Sequence, residues 1–344
     1  NHEDLVKGKM EVTENDQDIV ILKSDGIPTY LFAHVVDDHL MGTTVVVRGE
    51  EWLATLPVHL QLFRAMGWKA PKYAHTAQLM KIDEETGGKR KLSKRKDPEL
   101  ALTFYAKQGY PAACVLEYLM TLLNSNFEEW RRANPELPMN DFPFSTKKMS
   151  GSGALFDIDK LTDVSKNVIS HMKAEEVYNQ VDAWSKEHDN EFNALFTRDK
   201  EKSIAFLQIG RGGKKPRKDI AVWTDVKPYM DFMFDELFNP DYTMPERLSK
   251  EDAISMLDDF AQVFDENDTP DGFFEKMKTI AEKHGDAAET KAYKQNPEQY
   301  KGAVGDVSMV IRIAVAGRQN APDLQSVMHI MGKDMVLKRL EACK

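Results

Sequence analysis

The spacing of apolar residues changes once along this chain, near Asp97-Pro98, and that change limits the fold to an α/β part followed by a helical part. Before it, β-branched runs alternate with helical spacing. Ile19-Val20-Ile21-Leu22 reads as a buried strand ending at the turn Ser24-Asp25-Gly26, and Thr43-Thr44-Val45-Val46-Val47 reads as a second strand. Residues 33–41 between them read as a short helix stopped by Gly42, where a left-handed backbone costs glycine little. Leu60, Phe63 and Met66 share one face of a further helix, with Pro57 in its first turn and Gly67 at its end. The order strand, helix, strand, helix predicts an α/β layer.

From Asp97 the pattern is helical throughout. Asp97 is placed to cap a helix running to Gln108 and Gly109, and Pro111 opens the next, to about residue 123. Ser249 with Asp252 predicts a capped start for a helix whose Ile254, Leu257, Phe260, Ala261 and Phe264 share a face. Phe274, Met277, Ile280 and Ala281 repeat that pattern up to Gly285, and amphipathic helices follow over about 299–316 and 333–342. Joints are expected at 149–153, 210–218 and 239–245, which gather Gly, Pro and polar residues. No internal repeat is present.

A length of 344 residues allows two to three domains at roughly 150 residues each. With 42% hydrophobic and 30% charged residues the composition is that of a globular chain, not a disordered one. The net charge of −10 leaves no global positive field, so contact with RNA has to come from local basic patches. Cys114 and Cys343 are too few for a disulfide framework or a multi-cysteine zinc site and suit a reducing cytosol. No stretch reaches the roughly 18 to 20 apolar residues of a membrane span, since residues 112–123 are interrupted by Glu117, and a soluble protein is expected. The start Asn1-His2-Glu3-Asp4 has no initiator Met and is unlike a signal or transit peptide, which reads as a beginning inside a larger protein.

Two segments carry candidate chemistry. Lys89-Arg90-Lys91-Leu92-Ser93-Lys94-Arg95-Lys96 follows Gly87-Gly88. Such a run is either a solvated loop or a phosphate contact. Lys91 and Lys94, three apart, can present two ammonium groups from one loop that Leu92 anchors, which suits a triphosphate gaining charge as pyrophosphate leaves. In the second segment Asp37, Asp38 and His39 suggest a metal site, but helical neighbours point about 100° apart and do not converge on one ion. Capping and buried hydrogen bonds explain them instead. Arg48 stands where the second β run ends, the edge at which open α/β sheets bind ligands, and a guanidinium there can grip a carboxylate.

Together Leu22-Lys23-Ser24-Asp25-Gly26, Pro28-Thr29-Tyr30, residues 35–42, residues 48–52 and Lys91-Leu92-Ser93-Lys94-Arg95 resemble, in order and approximate spacing, the bacterial glutamyl-tRNA synthetases of class I. Lys91-Leu92-Ser93-Lys94-Arg95 is similar to the second class I signature in its glutamyl form. Gly153-Ala154-Leu155-Phe156-Asp157 and Ile311-Arg312-Ile313-Ala314-Val315-Ala316-Gly317 carry the likeness nearly to the end of the chain. The resemblance implies an α/β remnant of a class I nucleotide-binding (Rossmann-like) domain, then a mostly α stem-contact region, then an all-α anticodon-binding region. The corresponding parts are residues 1–68 (with the end of an acceptor-binding insertion at 1–16), 69–165, 166–245 and 246–344.

The resemblance also implies roles. Tyr30, His34 and Arg48 would bind glutamate; Glu51, Trp52, Leu79, Lys91, Ser93, Lys94 and Arg95 would bind ATP, with Leu79 at adenine and Lys91 and Lys94 as the catalytic cations. Arg211, Lys214, Lys215, Arg217, Lys218 and Arg312 would meet tRNA. The 210–218 loop alone reads equally as a surface linker, and Trp223, Tyr229 and Phe232 read more readily as core than as base-stacking residues. ATP with Mg²⁺ would be a substrate, no protein-bound metal is implied, and the partners would be tRNA(Glu) and, for a non-discriminating member, tRNA(Gln) as well, for a monomeric cytoplasmic ligase. His34 stands where the family has Asn, which would make its charge depend on pH near neutrality. Nothing in the chain resembles the family's first signature motif, so the resemblance is to a C-terminal portion, inactive alone. The alternatives are a tRNA-binding module or paralogue without chemistry and, remotely, a metal-dependent phosphohydrolase.

Overall fold

The computed structural model describes residues 1–344, which divide into two compact units: residues 1–105 with 112–164, and residues 106–111 with 165–344. In the first unit β1 (His2–Asp4) and β2 (Gly8–Met10) form an antiparallel hairpin. Helix α1 (Tyr30–Leu40) leads into β3 (Val45–Gly49). A 3₁₀ turn and α2 (Leu56–Ala65) then return the chain to β4 (Lys72–Thr76), which pairs in parallel with β3, Arg48 opposite His75. Val35, Leu56, Phe63, Tyr73 and Ala74 are fully or almost fully buried between these helices and strands. This is the expected strand and helix alternation with one exception. Residues 19–22 form no strand, and Val20 and Leu22 are exposed. They fold back on Ile27 and Thr29 in a tight hairpin, where Pro28 offers no N–H to extend the ladder.

The rest of the unit carries β5 (Leu79–Ile82) at the centre of a small sheet, antiparallel to β6 (Lys89–Lys91) and parallel to β7 (Ala154–Leu155). Helix α3 covers Leu102–Gln108, and α4 (Ala112–Leu123) and α5 (Phe127–Ala133) follow. Asp97 does not cap a helix to Gln108: a 3₁₀ turn, Pro98–Leu100, follows it without a side-chain cap bond, and its carboxylate is used elsewhere. Tyr118 is fully buried, and its hydroxyl accepts the Asp157 N–H at 2.7 Å, fixing the start of α6 (Ile158–His171).

The second unit is helical. Helices α7 (Ala174–His188), α8 (Asn190–Arg198), α9 (Lys200–Gln208) and α10 (Val226–Met230) enclose Val177, Phe192, Phe196, Phe206, Trp223 and Phe232. Trp223 and Phe232 are therefore core. Gly109 is required in this packing, because its φ of +82° is left-handed and an added Cβ would lie 2.8 Å from the Trp223 backbone nitrogen. Helix α11 (Lys250–Val263) starts at Ser249, whose side chain accepts the Asp252 N–H, and α12 (Pro270–Lys283) and α13 (Thr290–Gln295) follow. Helix α14 (Val304–Ala316) is buried on almost every side, as its run of Val, Ile and Ala requires. It stops at Gly317, and α15 (Leu324–Met331) and α16 (Lys333–Ala342) close the array. The expected helix over 299–316 is thus shorter, preceded by the turn Pro297–Gln299.

One buried acid strains this array. Burial, reinforced by Asp306, pushes the Asp286 carboxyl up to about 6, and its Oδ2 has no hydrogen-bond partner. Because the folded state holds this proton more tightly than the unfolded chain, the associated stability is present below about pH 4 and is lost as pH rises through 6. Asp286→Asn should therefore stabilise the second unit by about 2 kcal/mol at pH 7 and by little at pH 4, read from urea melts at the two pH values.

Candidate active site

The carboxyl ends of β3 and β4 bring together residues from four separate segments. Arg48, near the end of β3, donates from Nε to His75 Nε2 at 2.9 Å, from one terminal nitrogen to His59 Nδ1 at 3.0 Å, and from the other to the Trp52 carbonyl at 3.3 Å. None of these partners is an anion. Its guanidinium also lies over the Tyr73 ring, 4.8 Å from the centroid. Burial lowers its affinity for the proton, while the Tyr73 and Tyr30 phenols and Asp38 counteract this through space. Arginine keeps its charge under such shifts, so a half-buried cation stands here with aromatic and imidazole walls.

Those walls follow from local structure. Tyr30 opens α1 and tilts against Trp52 at 4.9 Å between ring centroids; His34, one turn on, lies 4.2 Å from His59. His34 Nε2 is 3.2 Å from the Tyr73 hydroxyl and its Nδ1 is 3.1 Å from Asp38. Burial pulls the His34 imidazole below its ordinary value, opposed by Asp38 and aided by Arg48. Its change of charge is thereby displaced toward acid pH from the ordinary imidazole range. His59 is fully buried, and burial, then His34, then Arg48 hold it down to about 3. Asp37, Asp38 and His39 do not converge, since His39 stacks on Trp68 at 3.9 Å, and no cluster of ligands able to hold a metal ion is present.

The basic loop is built around an arginine that sequence spacing did not single out. Arg90 on β6 pairs with Asp83 at 2.8 Å and, through both terminal nitrogens, with Asp97 at 2.7 and 2.8 Å. Asp97 also accepts the Ser93 N–H at 2.6 Å and lies 3.2 Å from Lys81. Arg90 above all holds its carboxyl far below the usual range. Leu92 is buried, as its anchoring role requires, while Lys91, Lys94 and Arg95 are exposed and form no ion pair. Lys91 acts electrostatically on Glu51, whose carboxylate accepts from Gln78 at 3.1 Å. Glu50, beside it, is tied to Lys7. Lys91 is thereby connected to the segment that carries Arg48; Lys94 and Arg95 have no such link. Leu79 lines an apolar groove of about 320 Å³ with Leu119, Leu123, Met149 and Ala154.

In the helical unit the basic residues separate into two groups. Lys214, Lys215, Arg217 and Lys218 are exposed, Arg217 being paired with Asp219 at 2.7 Å. Arg211 is turned inward and donates to the carbonyls of Leu207, Ile169 and Met172 at 2.9, 2.6 and 3.1 Å. That corrects its expected place among RNA contacts: it closes the ends of helices. Arg312, on α14, is half-buried, with no partner at Nε.

Asp4, His59, His75, Arg90 and Asp97 were not singled out as site residues from sequence. Asp4 and His75 are 71 residues apart, and the packing of β1 against β4 joins them. No local periodicity signals such a contact.

A parallel strand pair thus carries a half-buried cation near its carboxyl end, the edge at which open α/β sheets bind ligands, and is followed by a lysine-bearing loop and a helical array. Residues 1–163 match the family described as tRNA synthetases class I (E and Q), catalytic domain, and residues 216–344 match an anticodon binding domain. One chain thus carries a sequence similar to a class I tRNA synthetase catalytic domain and, after it, one similar to an anticodon binding domain. It is 52% identical to a glutamate–tRNA ligase of Acetivibrio thermocellus and 46% identical to one of Clostridium perfringens, in each case over 98% of this chain and 62% of the relative. The chain thus spans about 62% of the length of the curated relatives it matches. Among solved structures, a glutamate tRNA ligase of Elizabethkingia meningosepticum in complex with its amino acid shares the fold, with a TM-score of 0.73 at 23% identity over 99% of this chain and 65% of that one. A glutamate-tRNA synthetase of Elizabethkingia anophelis gives a TM-score of 0.69 at 25% identity, over 99% and 64%.

Proposed function

We propose that this chain carries the glutamate-gripping and phosphate-facing portion of a glutamate–tRNA ligase. In the first step a glutamate carboxylate oxygen attacks the α-phosphorus of ATP. The bond to the bridging oxygen breaks and pyrophosphate leaves with the electron pair, giving glutamyl-adenylate. In the second, a hydroxyl of the terminal ribose of tRNA(Glu) takes the acyl group and AMP departs. No enzyme nucleophile is required; catalysis rests on positioning and on cations where charge builds. Arg48, with Tyr30 and His34, holds the amino acid. Glu51, Trp52 and the Leu79 groove border ATP, and Lys91, Ser93, Lys94 and Arg95 face its phosphates, with Mg²⁺ entering as part of that substrate. Lys214, Lys215, Arg217, Lys218 and Arg312 meet tRNA, and the enzyme works as a cytoplasmic monomer.

The observation that carries this reading is the cation at 48, which has only uncharged hydrogen-bond partners and an aromatic enclosure. The test joins this chain to the portion of the Acetivibrio thermocellus relative that it does not span and measures ATP–pyrophosphate exchange. Exchange that requires L-glutamate, and not L-glutamine, is expected. Salt-sensitive tRNA binding without exchange would favour a binding module instead, and charging of tRNA(Gln) beside tRNA(Glu) would mark a non-discriminating enzyme.

A further inference from the structure

We propose that His75, fixed in one tautomer by the buried carboxylate of Asp4, and His59 are positioning residues that aim the Arg48 guanidinium at its ligand. The proposal rests on the reading of Arg48 as a carboxylate clamp. An arginine side chain has five N–H donors and no acceptor. Every atom hydrogen-bonded to it must therefore present a lone pair. His75 Nε2 does so at 2.9 Å and His59 Nδ1 at 3.0 Å, so the proton of each neutral ring sits on its other nitrogen.

For His75 that nitrogen is Nδ1, 2.5 Å from Asp4 Oδ2. Asp4 is itself immobilised: its Oδ1 accepts the N–H groups of Val6 and Lys7, each at 2.9 Å, and both its oxygens lie 3.2 Å from the His75 N–H. The Asp4 and His75 side chains are both fully buried. Position is thus passed from the turn after β1 through an imidazole to the guanidinium. For His59 the protonated nitrogen is Nε2, which is buried without a partner. That unpartnered donor is a cost the fold bears in order to keep Nδ1 an acceptor.

The chemistry explains why imidazoles occupy these positions. A carboxylate at either one would orient Arg48 equally well but would neutralise it and compete with an incoming carboxylate. A neutral ring fixes the plane and leaves the charge. With the Trp52 carbonyl, the two rings take three of the five donors. One N–H on each terminal nitrogen remains for the Tyr30 hydroxyl and the ligand.

The test uses this chain, labelled with ¹⁵N, at pH 7. Long-range ¹H–¹⁵N correlations should show His75 protonated at Nδ1 and His59 protonated at Nε2. The Arg48 Nε–H should exchange slowly with water in the native protein and in His75→Gln, whose amide oxygen can accept it, and rapidly in His75→Leu. In the protein joined to the portion of the Acetivibrio thermocellus relative that this chain does not span, L-glutamate affinity should fall about 10²-fold in His75→Leu, the scale of a misplacement near 1 Å, and recover in His75→Gln, with ATP affinity the same in all three. The opposite tautomer at either ring, or a His75→Leu variant with slow Arg48 exchange, would overturn the proposal. The tautomer measurement needs no variant and decides even where His75→Leu does not fold. Expected tautomers and exchange with no glutamate binding to any form would support the positioning and sink the glutamate reading.

Discussion

Replacing Lys91 with Ala in the joined protein is expected to slow glutamyl-adenylate formation about 10²- to 10³-fold, or roughly 2.7 to 4 kcal/mol, with a similar loss for Lys94→Ala. The magnitude is that of removing one preorganised donor from a site where charge develops. Lys91 is suited to this because its backbone is held by register pairing with Met80 on β5, and its neighbour Leu92 is buried. Arg90 and Asp97 brace the loop from behind without engaging either ammonium group. The effect should fall on the exchange rate, with the glutamate KM little changed, because the added charge on pyrophosphate exists only as it leaves. Unchanged pyrophosphate exchange in both variants would remove the phosphate role from this loop.

The second large effect is on stability in acid. His59 titrates near 3 in the folded unit against 6.5 in an unfolded chain. Between those values the unfolded state binds a proton that the folded state does not, so stability is present above about pH 6.5 and is lost as pH falls toward 3. At 1.36 kcal/mol per unit the loss is on the order of 4 kcal/mol for this one fully buried ring. His59→Gln keeps an acceptor for Arg48 and does not titrate. Urea melts of the first unit, followed through tryptophan fluorescence at pH 7 and pH 4, should show the wild type losing about 3 kcal/mol more than the variant. Parallel losses in the two proteins would mean that another group governs the acid limb.

The parts of the fold that the sequence made legible are those coded by local rules. Ser249 capping α11, Gly42 after α1 and the uniform apolar run of α14 all act through neighbours within a few residues. Residues 19–22 misled because a run of four apolar residues has no helical or alternating period to test, and Pro28 lies on the strand it would have paired with. Asp97 misled for a related reason. An acid before a proline is a good helix cap in isolation, but a guanidinium seven residues earlier offered it a charged, two-pronged partner.

At the candidate site the ordered motifs pointed to Tyr30, His34, Arg48 and Lys91, which β3, α1 and β6 bring to one unit. What supports Arg48 was not visible. His59 and His75 are single histidines in apolar surroundings, and their value as neutral acceptors exists only once a guanidinium lies between them. Arg211 shows the converse, a cation in a basic loop that the packing turns toward three carbonyls.

The most direct test of the central claim, that Arg48 grips the amino acid's carboxylate, is the KM of the joined protein for L-glutamate and for ATP in pyrophosphate exchange, wild type against Arg48→Gln. The account predicts a glutamate KM raised at least about tenfold, or 1.4 kcal/mol, with the ATP KM unchanged. An unchanged glutamate KM, or equal rises in both, would contradict it.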